Sequence, residues 1–585
     1  MTHPAVLTPE QAFAEMVAQG DVVIDRFDSW VASQPDKVFI DYGEDDLRLS
    51  FAEFARRADA VAAGMVGLGA APGDRVSVMT RNSLVATLVM FACWRIGAIY
   101  APVNFNYKGR LLSYQLDDTA PSVFVVGADC AQAVHEVRGE TSIGAFVLHL
   151  PRPGDHDFGQ GEVPAGFGAG RRLAELADLL REGGSAPKLQ RAYSDLANII
   201  YTSGTTGPAK GVLQSFRWMN QYSYVMRNVN GPDDVVYCDL PLYHVGGAHF
   251  LVARSAWTGN TVALWDRFSP SDFWRRIARS GCSTAVLLDV MVPWLMSAEP
   301  RPQDRENTLN KVHMQPLPLN HHAVARRFGF DFVTSGFGQT ESGMGFGALI
   351  DEWGDEEGTP RELWRGPDKA AIRAAMARFG LPVIPPGAEL AKGFMGLPSP
   401  LLEAAVLDPQ DNRCADGEVG QLAFRPRFPS LLLEEYFRKP EATVKALRNC
   451  WFHTGDACYR GKDGFWYFVD RMGGFFRVRG ENISSYQVED LINGHPKVRA
   501  TAAVPVPADI GDEEDVAVFV ELKEGETMSE EELRDHAREV MPKYMVPKHI
   551  RFIPALPLTP TNKVEKYKLK QQLIAELGKA PRSPA

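Results

Sequence analysis

The sequence predicts an α/β protein: a large N-terminal domain of parallel sheets with helices plus a small β-unit, followed by a small α+β C-terminal domain. Two observations lead to this fold class. Short β-rich runs alternate with longer helical patterns along the N-terminal part of the chain, which is typical of parallel sheets with covering helices. The pattern changes after Asp470, where a compact unit of about a hundred residues follows. At 585 residues the chain is too long for one core, and roughly four structural units are expected.

The elements of the N-terminal part follow from local patterns. Residues up to about Ala70 look helical and amphipathic, and Ser50 and Glu53 have the spacing of a capping box. The apolar run at 83–94 is too short to span a bilayer and is interpreted as a core helix. Buried strands are predicted at the β-rich runs 75–79, 123–126, 146–149, 199–202, 235–239, 284–287 and 332–335.

The C-terminal part has its own signals. Short strands at 403–407 and 419–425 indicate the small β-unit. Ser484 and Gln487 are spaced to begin a helix, strands are predicted at 500–506 and 516–522, and Ser529 and Glu532 begin another helix. The predicted domains are therefore residues 1–472 and 473–585.

Residues 351–392 differ from their surroundings, because they are charged and rich in proline and glycine. One short helix is predicted from Asp368 to Phe379, with Gly380 ending it. We interpret the segment as an insertion, and a surface flap without function is the favoured explanation because loops tolerate insertions.

Composition excludes several classes of protein. The net charge of −11, from 62 basic and 73 acidic residues, argues against a nucleic-acid scaffold, which would need a basic surface. Seven cysteines without metal-ligand spacing indicate reduced thiols and a cytoplasmic protein. No secretory signal and no membrane span are recognised. A monomer or a homodimer is expected.

The first stretch that carries chemistry follows the predicted strand at 199–202. Its two glycines allow successive backbone N–H groups to face one anion, and its hydroxyl groups and lysine add further donors. The stretch differs from the P-loop because Gly211, rather than Ser or Thr, follows the lysine. It is either a phosphate cradle or an ordinary Gly/Ser/Thr surface loop. The cradle residues are Thr202, Ser203, Gly204, Thr205, Thr206, Gly207 and Lys210.

Four further stretches accompany the cradle downstream. Gln339, Thr340 and Glu341 follow a predicted strand, where a carboxylate near a triphosphate is suited to hold magnesium. Asp456 ends a tight turn and is suited to accept hydrogen bonds from ribose hydroxyls. The remaining stretches are 470–474 with the nearby 480–483, and 557–563, which places Lys563 in a constrained loop.

These five blocks, in this order and spacing, resemble the adenylate-forming superfamily of acyl-CoA synthetases, aryl-CoA ligases, luciferases and peptide-synthetase adenylation domains. The resemblance extends from about Phe51 to Leu569. The stretches 241–247 and 480–484 are most similar to those of acyl-CoA and betaine-type (carnitine) CoA ligases. The resemblance implies a ligase of fatty acid metabolism in the broad sense, with ATP, Mg²⁺ and coenzyme A as cofactor and co-substrates and a small carboxylic acid as substrate.

The resemblance also implies a two-step reaction and a role for each motif residue. The carboxylate attacks the α-phosphate of ATP, and the thiol of coenzyme A then displaces AMP from the acyl-adenylate. The cradle would hold the β- and γ-phosphates, Glu341 the magnesium, and Thr340 the α-phosphate region, while Lys563 would bridge carboxylate and α-phosphate. ATP would also contact Gln339, Asp456 and Arg471, the last two at the ribose. The acyl and coenzyme A pocket would include His244, Gly246, Gly247 and Gly343.

Three positions depart from the family pattern. The hinge between the two half-reactions is Gly473, where the family has Asp or Lys; glycine eases rotation but offers no side chain to hold either state. Asn562 replaces the glycine before the catalytic lysine. His313 to Pro316 replace the usual adenine loop, so the sequence does not identify the residues that contact adenine.

The sequence also does not identify the acid substrate or the molecule that accepts the acyl group. Five glycines lie in blocks that line the acyl site in the family, and their lack of side chains predicts a roomy pocket. The substrate is then expected to be a medium-to-large or branched acid rather than acetate. The glycines are Gly246, Gly247, Gly343, Gly345 and Gly347. Trp94, Trp218 and Trp257 are predicted to be core residues, whereas His249 and His313 are equally compatible with the core and with the site. Alternative functions are the loading of a carrier protein in trans and a luciferase-like oxygenase.

Overall fold

A computed structural model describes residues 5–151, 161–202, 209–288, 291–472, 475–509, 513–557 and 564–579. Its strands are β1 Val38–Tyr42, β2 Leu47–Ser50, β3 Arg75–Met79, β4 Ile99–Pro102, β5 Val123–Gly127, β6 Ala145–His149, β7 Arg172–Glu175, β8 Leu196–Thr202, β9 Lys210–Ser215, β10 Val235–Cys238, β11 Thr261–Leu264, β12 Thr284–Leu287, β13 Lys311–Met314, β14 Phe332–Gln339, β15 Gly343–Asp351, β16 Val383–Ile384, β17 Phe394–Pro398, β18 Leu402–Leu407, β19 Gly420–Pro426, β20 Phe452–Arg460, β21 Trp466–Arg471, β22 Phe475–Val478, β23 Glu481–Ser484, β24 Val498–Pro507, β25 Glu514–Leu522 and β26 His549–Phe552.

The helices pack on the faces of these strands. They are α1 Pro9–Ala18, α2 Val23–Ser33, α3 Phe51–Gly67, α4 Ser83–Ile96, α5 Gly109–Thr119, α6 Ala131–Val137, α7 Leu176–Glu182, α8 Phe216–Arg227, α9 Arg254–Thr258, α10 Phe273–Ser280, α11 Met291–Met296, α12 His321–Phe328, α13 Lys369–Arg378, α14 Pro440–Ala446, α15 Ser485–Asn493, α16 Glu530–Val540 and α17 Lys566–Glu576. A π-helical segment, Gly246–Ala253, runs directly into α9.

Two sheets form the large N-terminal part. The first has the order β7-β6-β5-β3-β4-β8-β9 and is parallel except for the antiparallel β8–β9 pair. In the second sheet, β1, β11, β10, β12, β13 and β14 are parallel neighbours. All seven predicted strands are present, and every residue of α4 is buried, as predicted for a core helix. The α/β fold class is therefore confirmed.

The small β-unit is continuous with the second sheet. From β15 the sheet goes on through β17, β21, β20 and β19 to β18, and all of these neighbours are antiparallel. The predicted strands at 403–407 and 419–425 are β18 and β19. An antiparallel edge on a parallel core brings β20 and β21 beside the strand ends that form the site.

The N-terminal region corrects one expectation. Residues up to Ala70 contain two strands, β1 and β2, besides three helices. β1 pairs in parallel with β11, which follows more than two hundred residues later. The capping box of α3 is present, since Ser50 accepts from the Glu53 N–H and Glu53 accepts from the Ser50 N–H. Local patterns predicted the caps but not a strand whose partner is remote.

The C-terminal part contains a two-stranded sheet, β22–β23, and a three-stranded sheet, β24-β25-β26. Helices cover both faces of the three-stranded sheet. Apolar side chains of α15 and α16 pack on one face, and those of α17 pack on the other. The Ser529 hydroxyl caps α16, as predicted. At α15 the helix begins where predicted, but the Ser484 side chain makes no capping hydrogen bond.

Residues 351–392 pack against the body of the protein instead of lying on it as a flap. The predicted helix is α13, capped by Asp368, and it buries Ile372 and Met376. Lys369 forms an ion pair with Asp331, whose side chain is fully buried. These contacts anchor the segment, although its origin as an insertion stays a prediction.

A histidine pair fastens the same segment to α12. Both oxygens of the buried Glu352 carboxylate are engaged, one by His321 Nδ1 at 2.7 Å and one by His322 Nδ1, while His322 Nε2 lies 3.0 Å from the Ala388 carbonyl. Burial acts to lower the pKa of His322, but the hydrogen bonds to Glu352 and Ala388 outweigh it and raise that pKa.

This arrangement predicts a pH dependence of stability. A His322 pKa raised by folding adds stability that is complete below the unfolded value, about 6.5, and is lost as pH rises through the folded value. We expect the gap in urea midpoint between wild type and His322→Gln to shrink as pH is raised from 6 to 8.5. Asn320→Gln, which changes an exposed, non-titrating residue next to α12, is the control and should give a gap independent of pH. A constant gap for His322→Gln would contradict the prediction.

No helix in the described part of the chain is both long enough and apolar enough to cross a membrane.

Candidate active site

Glu341 lies in the turn between β14 and β15, which form an antiparallel pair. Its carboxylate oxygen Oε1 accepts hydrogen bonds from Thr202 Oγ1 at 3.3 Å and from the Tyr436 hydroxyl at 3.1 Å. Thr202 ends β8 in the first sheet, whereas Glu341 belongs to the second. The carboxylate therefore sits where the two sheets meet, at the carboxyl ends of their strands.

The backbone of this turn is held in place by other side chains. Trp218 Nε1 donates to the Glu341 carbonyl at 3.1 Å, and the Leu433 N–H donates to the same oxygen at 2.8 Å. Gln214 Nε2 donates to the Thr340 carbonyl at 2.8 Å. These hydrogen bonds hold the backbone of Thr340 and Glu341 in place. The Glu341 carboxylate is therefore not needed to fix the turn and can bind a ligand.

Lys210 brings a positive charge to the same cluster. It faces Thr202 across the β8–β9 pair, and its ammonium lies 4.5 Å from the centre of the Tyr436 ring. Burial lowers the pKa of Lys210, and the nearby Glu341 opposes that shift. A half-buried cation beside a carboxylate and a phenol is suited to bind a polyanion that is accompanied by a cation of its own. The lysine attracts the polyanion, and the carboxylate attracts the accompanying cation.

The loop that joins Thr202 to Lys210 carries the other predicted cradle residues. Ser203, Gly204, Thr205, Thr206 and Gly207 lie outside the described residues, so their role stays a prediction. The two ends of the loop, Thr202 and Lys210, are brought beside Glu341. The hinge residue Gly473 and Lys563 also lie outside the described residues.

The predicted ribose group forms a second cluster. Gln339 Nε2 donates to the Asp456 carboxylate and, at 3.2 Å, to the Thr454 carbonyl. Asp456 in β20 pairs with Arg471 in β21, so the two residues are direct neighbours across strands. Gln339 Oε1 is buried and has no partner among the described residues. The structure therefore brings three of the predicted ATP ligands together.

A third cluster joins the large part to the C-terminal hairpin. Glu481 in β23 accepts from the Tyr243 hydroxyl at 2.7 Å, and its other oxygen lies 2.8 Å from His244 Nε2. Burial acts to raise the pKa of Glu481, but His244 and Tyr243 outweigh it and lower that pKa. Glu481 is consequently a carboxylate held against the residue predicted to line the acyl and coenzyme A pocket.

Further polar contacts support this arrangement of the two parts. Asn104 Nδ2 donates to the Tyr544 hydroxyl at 3.0 Å, and Arg110 lies 3.2 Å from Asp490. Lys108 Nζ donates to the Arg538 carbonyl at 2.5 Å. These contacts are polar, and Leu111 of α5 adds an apolar one by packing against the C-terminal cluster.

The argument that glycines make the pocket roomy is wrong at four of the five positions. A Cβ on Gly247 would lie 2.6 Å from the Pro241 carbonyl oxygen, and one on Gly345 would enter the Phe424 ring. Added Cβ atoms on Gly343 and Gly347 would likewise meet Gln221 and Met226. These glycines permit close packing of neighbouring side chains and backbone. At Gly246 alone of the five, the nearest atom to such a Cβ is 3.8 Å away.

The contacts of the tryptophans and histidines named in the sequence analysis show which of them belong to the core. Trp94 and Trp257 are core residues whose indole N–H groups bond Asn198 and Gly20. Burial lowers the pKa of His249 to about 3, and neither ring nitrogen has a partner in the described part of the chain. Burial also lowers the pKa of His313 to about 4, and Thr334 and Gln315 contact its nitrogens. Both histidines are neutral.

Sequence reasoning missed three side chains of these clusters: Tyr436, Tyr243 and the indole of Trp218. Tyr436 follows a pair of exposed glutamates and belongs to no motif that we recognised. Tyr243 directly precedes His244 and could have been found from that position. Trp218 was predicted to be core; it is buried in the core and also contacts the turn of Glu341.

The cluster around Glu341 fits a magnesium ion. Thr202, Tyr436 and Glu341 present oxygen atoms only, which is the donor type that Mg²⁺ prefers. Among the described residues, the hydrogen bonds of the Glu341 carboxylate involve no sulfur or imidazole, the ligands that would favour a transition metal. One carboxylate is enough where phosphate oxygens and water complete the coordination.

Comparisons with known proteins identify the family of the chain. Residues 27–431 match the family model of AMP-binding enzymes, and residues 487–563 match that of the AMP-binding enzyme C-terminal domain. A crotonobetaine/carnitine–CoA ligase of Salmonella arizonae is 28% identical over 532 residues, which cover 89% of this chain and 93% of that protein.

Solved structures share the fold. The o-succinylbenzoate CoA synthetase of Bacillus subtilis has a TM-score of 0.72 at 20% identity, covering 93% of this chain and 97% of that chain. The amide bond synthetase of Marinactinospora thermotolerans has a TM-score of 0.71 at 22% identity, covering 93% of this chain and 99% of that chain. Because the family model spans residues 27–431, the chain belongs to the AMP-binding enzyme family and is an adenylate-forming, AMP-forming acid–thiol ligase.

Proposed function

We propose that the enzyme activates a carboxylic acid with ATP at the cluster of Thr202, Lys210, Glu341 and Tyr436, and then transfers the acyl group to free coenzyme A. The carboxylate oxygen forms a bond to the α-phosphorus as the bond to pyrophosphate breaks. The thiol sulfur then bonds to the acyl carbon, AMP leaves, and the thiol proton is released. The observation that carries the proposal is the meeting of Lys210 and Glu341 at the junction of the two sheets.

The chain's own residues bind and orient the nucleotide in the first step. Lys210 and the cradle neutralise the phosphates, and Asp456 with Arg471 receives the ribose hydroxyls. Glu341 would hold Mg²⁺, which supplies positive charge to phosphate oxygens and thereby lowers the barrier to phosphoryl chemistry. Positioning and charge neutralisation account for most catalysis of this type.

The second step belongs to the third cluster. Glu481 holds the His244 imidazole through a contact of 2.8 Å, and the Tyr243 hydroxyl donates to the other Glu481 oxygen at 2.7 Å. We infer that this position keeps the path of the thiol open toward the acyl-adenylate. Glu481 acts here as a positioning residue, since it contacts His244 rather than the reacting atoms.

Replacing Glu481 by Gln should separate the two half-reactions. The variant keeps the shape but loses the charge that holds His244, so thioester formation from preformed acyl-adenylate should fall about tenfold to a hundredfold. Pyrophosphate release in the first half-reaction should be almost unchanged. Glu524→Gln, which changes an exposed carboxylate elsewhere in the C-terminal part, serves as the control. Equal losses in both half-reactions would contradict the positioning role.

The acyl group should lie between α8, the segment 246–258 and strands β13 and β14. Tyr222, Phe250 and His313 line this layer, and the His313 ring is 4.9 Å from that of Phe250. Polar and charged side chains among the aromatic ones favour a substituted, medium-sized acid over an unsubstituted fatty acid. In this proposal the enzyme shares with fatty acid metabolism the formation of an acyl-CoA, and its substrate is not an ordinary fatty acid.

The test is a panel of acids with ATP, magnesium and free coenzyme A, followed by pyrophosphate release and by the mass of the acyl-CoA product. Acetate and propionate should be poor substrates. Adenylation without acyl-CoA would instead favour loading of a carrier protein, and light or oxygen uptake would favour an oxygenase. A cytoplasmic location and a monomer or homodimer accompany the proposal; the seven unpaired cysteines support a reducing compartment.

A further inference from the structure

Arg254 is a buried arginine that forms no ion pair within the described part of the chain. It begins α9, directly after the π-helical segment that follows His244, and only 4% of its surface is exposed. Among the described residues its guanidinium makes no hydrogen bond or ion pair, and its Nε is buried without an acceptor. The guanidinium carbon lies 4.7 Å from the centre of the Phe250 ring. A buried charge is costly unless something compensates it.

The nearby carboxylate acts on this charge without forming an ion pair with it, as far as the described residues show. Asp234 is the negative charge that acts on Arg254, yet its carboxylate is already used by other groups. Lys311 Nζ lies 2.8 Å from Asp234 Oδ1, the Ser283 hydroxyl donates to the same oxygen, and the Gly231 N–H donates to Oδ2 at 2.8 Å. One carboxylate thus faces two buried cations. Burial lowers the pKa of Arg254 to about 10, so the guanidinium still carries its charge at neutral pH.

Another arginine shows how this fold satisfies a buried guanidinium. Arg227 ends α8 and is 2% exposed, but its Nε and Nη2 donate to Gln19 Oε1 at 3.1 and 2.8 Å. Its Nη1 donates to the Asn220 carbonyl at 3.4 Å. Arg254 has no such acceptors in the ranges that the structure describes, and this difference indicates a place for a ligand that brings the acceptor.

A row of aromatic rings connects Arg254 to the adenylation cluster. Trp218 bonds the Glu341 carbonyl and stacks on Tyr222 with ring centres 5.0 Å apart. Tyr222 lies 5.8 Å from Phe250, and Phe250 contacts Arg254. A Cβ on Gly338 of β14 would be 3.6 Å from the Tyr222 ring. The row therefore runs along the layer in which the acyl group is proposed to lie, from its reactive end to Arg254.

We propose that Arg254 binds a second anionic group of the substrate, so that the acid is a dicarboxylate or another acid with a distal anion. This inference rests on the proposed function. The planar guanidinium has donors spaced to bind a carboxylate through two hydrogen bonds, and such bonds are strong where water is excluded. A substrate with a distal quaternary ammonium, as in the names of the Salmonella relatives, would instead meet a like charge.

The first experiment compares acids of matched length with wild-type enzyme. Linear dicarboxylates from succinate to suberate, the corresponding monocarboxylates, and 4-(trimethylammonio)butanoate are each assayed for kcat/KM by pyrophosphate release. The best dicarboxylate should exceed its matched monocarboxylate by about a hundredfold or more, because the monocarboxylate leaves the buried guanidinium unpaired. A monocarboxylate or the cationic acid as best substrate would overturn the inference while leaving the proposed ligase activity intact.

The second experiment uses variants. Arg254→Met keeps the bulk and removes the charge, so the preference for the dicarboxylate should disappear, whereas Arg254→Lys should keep part of it. Arg227→Met is the matched control: it also removes a buried arginine, but the ratio between diacid and monoacid should not change. An unchanged ratio in Arg254→Met would overturn the inference.

Binding without ATP separates this inference from the proposed function. A dicarboxylate should raise the melting temperature of wild type and of Arg227→Met but not of Arg254→Met. Stabilisation without any acyl-CoA product would support the subsite and count against the ligase assignment. Absence of both stabilisation and dicarboxylate turnover would overturn the subsite.

Discussion

Replacing Lys563 by Ala should reduce ATP-dependent adenylation about a hundredfold to a thousandfold, as is typical for the loss of one preorganised charged donor. Its charge is needed while the carboxylate, an anion, approaches the anionic α-phosphate. Without a cation between them the two groups repel each other in a site that excludes water, where such interactions are strongest. This role follows from the resemblance of the stretch 557–563 to the catalytic lysine block of the family.

The same variant should leave the second half-reaction nearly intact. Coenzyme A attack on a synthetic acyl-adenylate has no pair of anions to bridge, so it should proceed at close to the wild-type rate. Measuring pyrophosphate release and thioester formation separately tests both statements. Lys568→Ala is the control, because Lys568 is an exposed residue paired with Glu565 and should affect neither step. If both half-reactions fell together in Lys563→Ala, the lysine would be structural rather than catalytic.

Glu341→Gln should weaken adenylation by orders of magnitude. The substitution preserves the backbone contacts of Trp218 and Leu433 with the turn, and it removes only the charge at the junction of the sheets. An amide is a poor ligand for Mg²⁺ compared with a carboxylate, so the affinity for the metal in the nucleotide complex should fall. Higher magnesium concentrations should restore part of the rate.

Pyrophosphate release measured over a range of magnesium concentrations tests this expectation. Glu435→Gln changes an exposed carboxylate one residue from Tyr436 and is the matched control, whose magnesium dependence should equal that of wild type. An unchanged rate for Glu341→Gln at limiting magnesium would remove the metal role. A loss that no magnesium concentration relieves would indicate that the carboxylate serves the nucleotide in another way.

The sequence by itself determined the features that depend on neighbouring residues. The alternation of β-rich and helical runs identified the parallel strands, since each strand of such a sheet is buried on both faces and reads as an apolar run. The caps at Ser50 and Ser529 follow from a serine three residues before a glutamate. The motif blocks also placed Thr202 at the end of a predicted strand and Glu341 after another, and the structure brings the two residues together.

Only the tertiary structure decided which remote residues meet. Tyr436 contacts a carboxylate 95 positions earlier, and Glu481 contacts His244 across 237 positions. The glycines at 247, 345 and 347 read as open space in the sequence, but neighbouring atoms occupy that space. The sequence around an arginine gives no sign of whether a partner exists: Arg227 has one, and Arg254 has none among the residues that the structure describes. Local sequence sets the periodicity and the turns, whereas pairing and charge compensation depend on how distant elements pack, which no local pattern encodes.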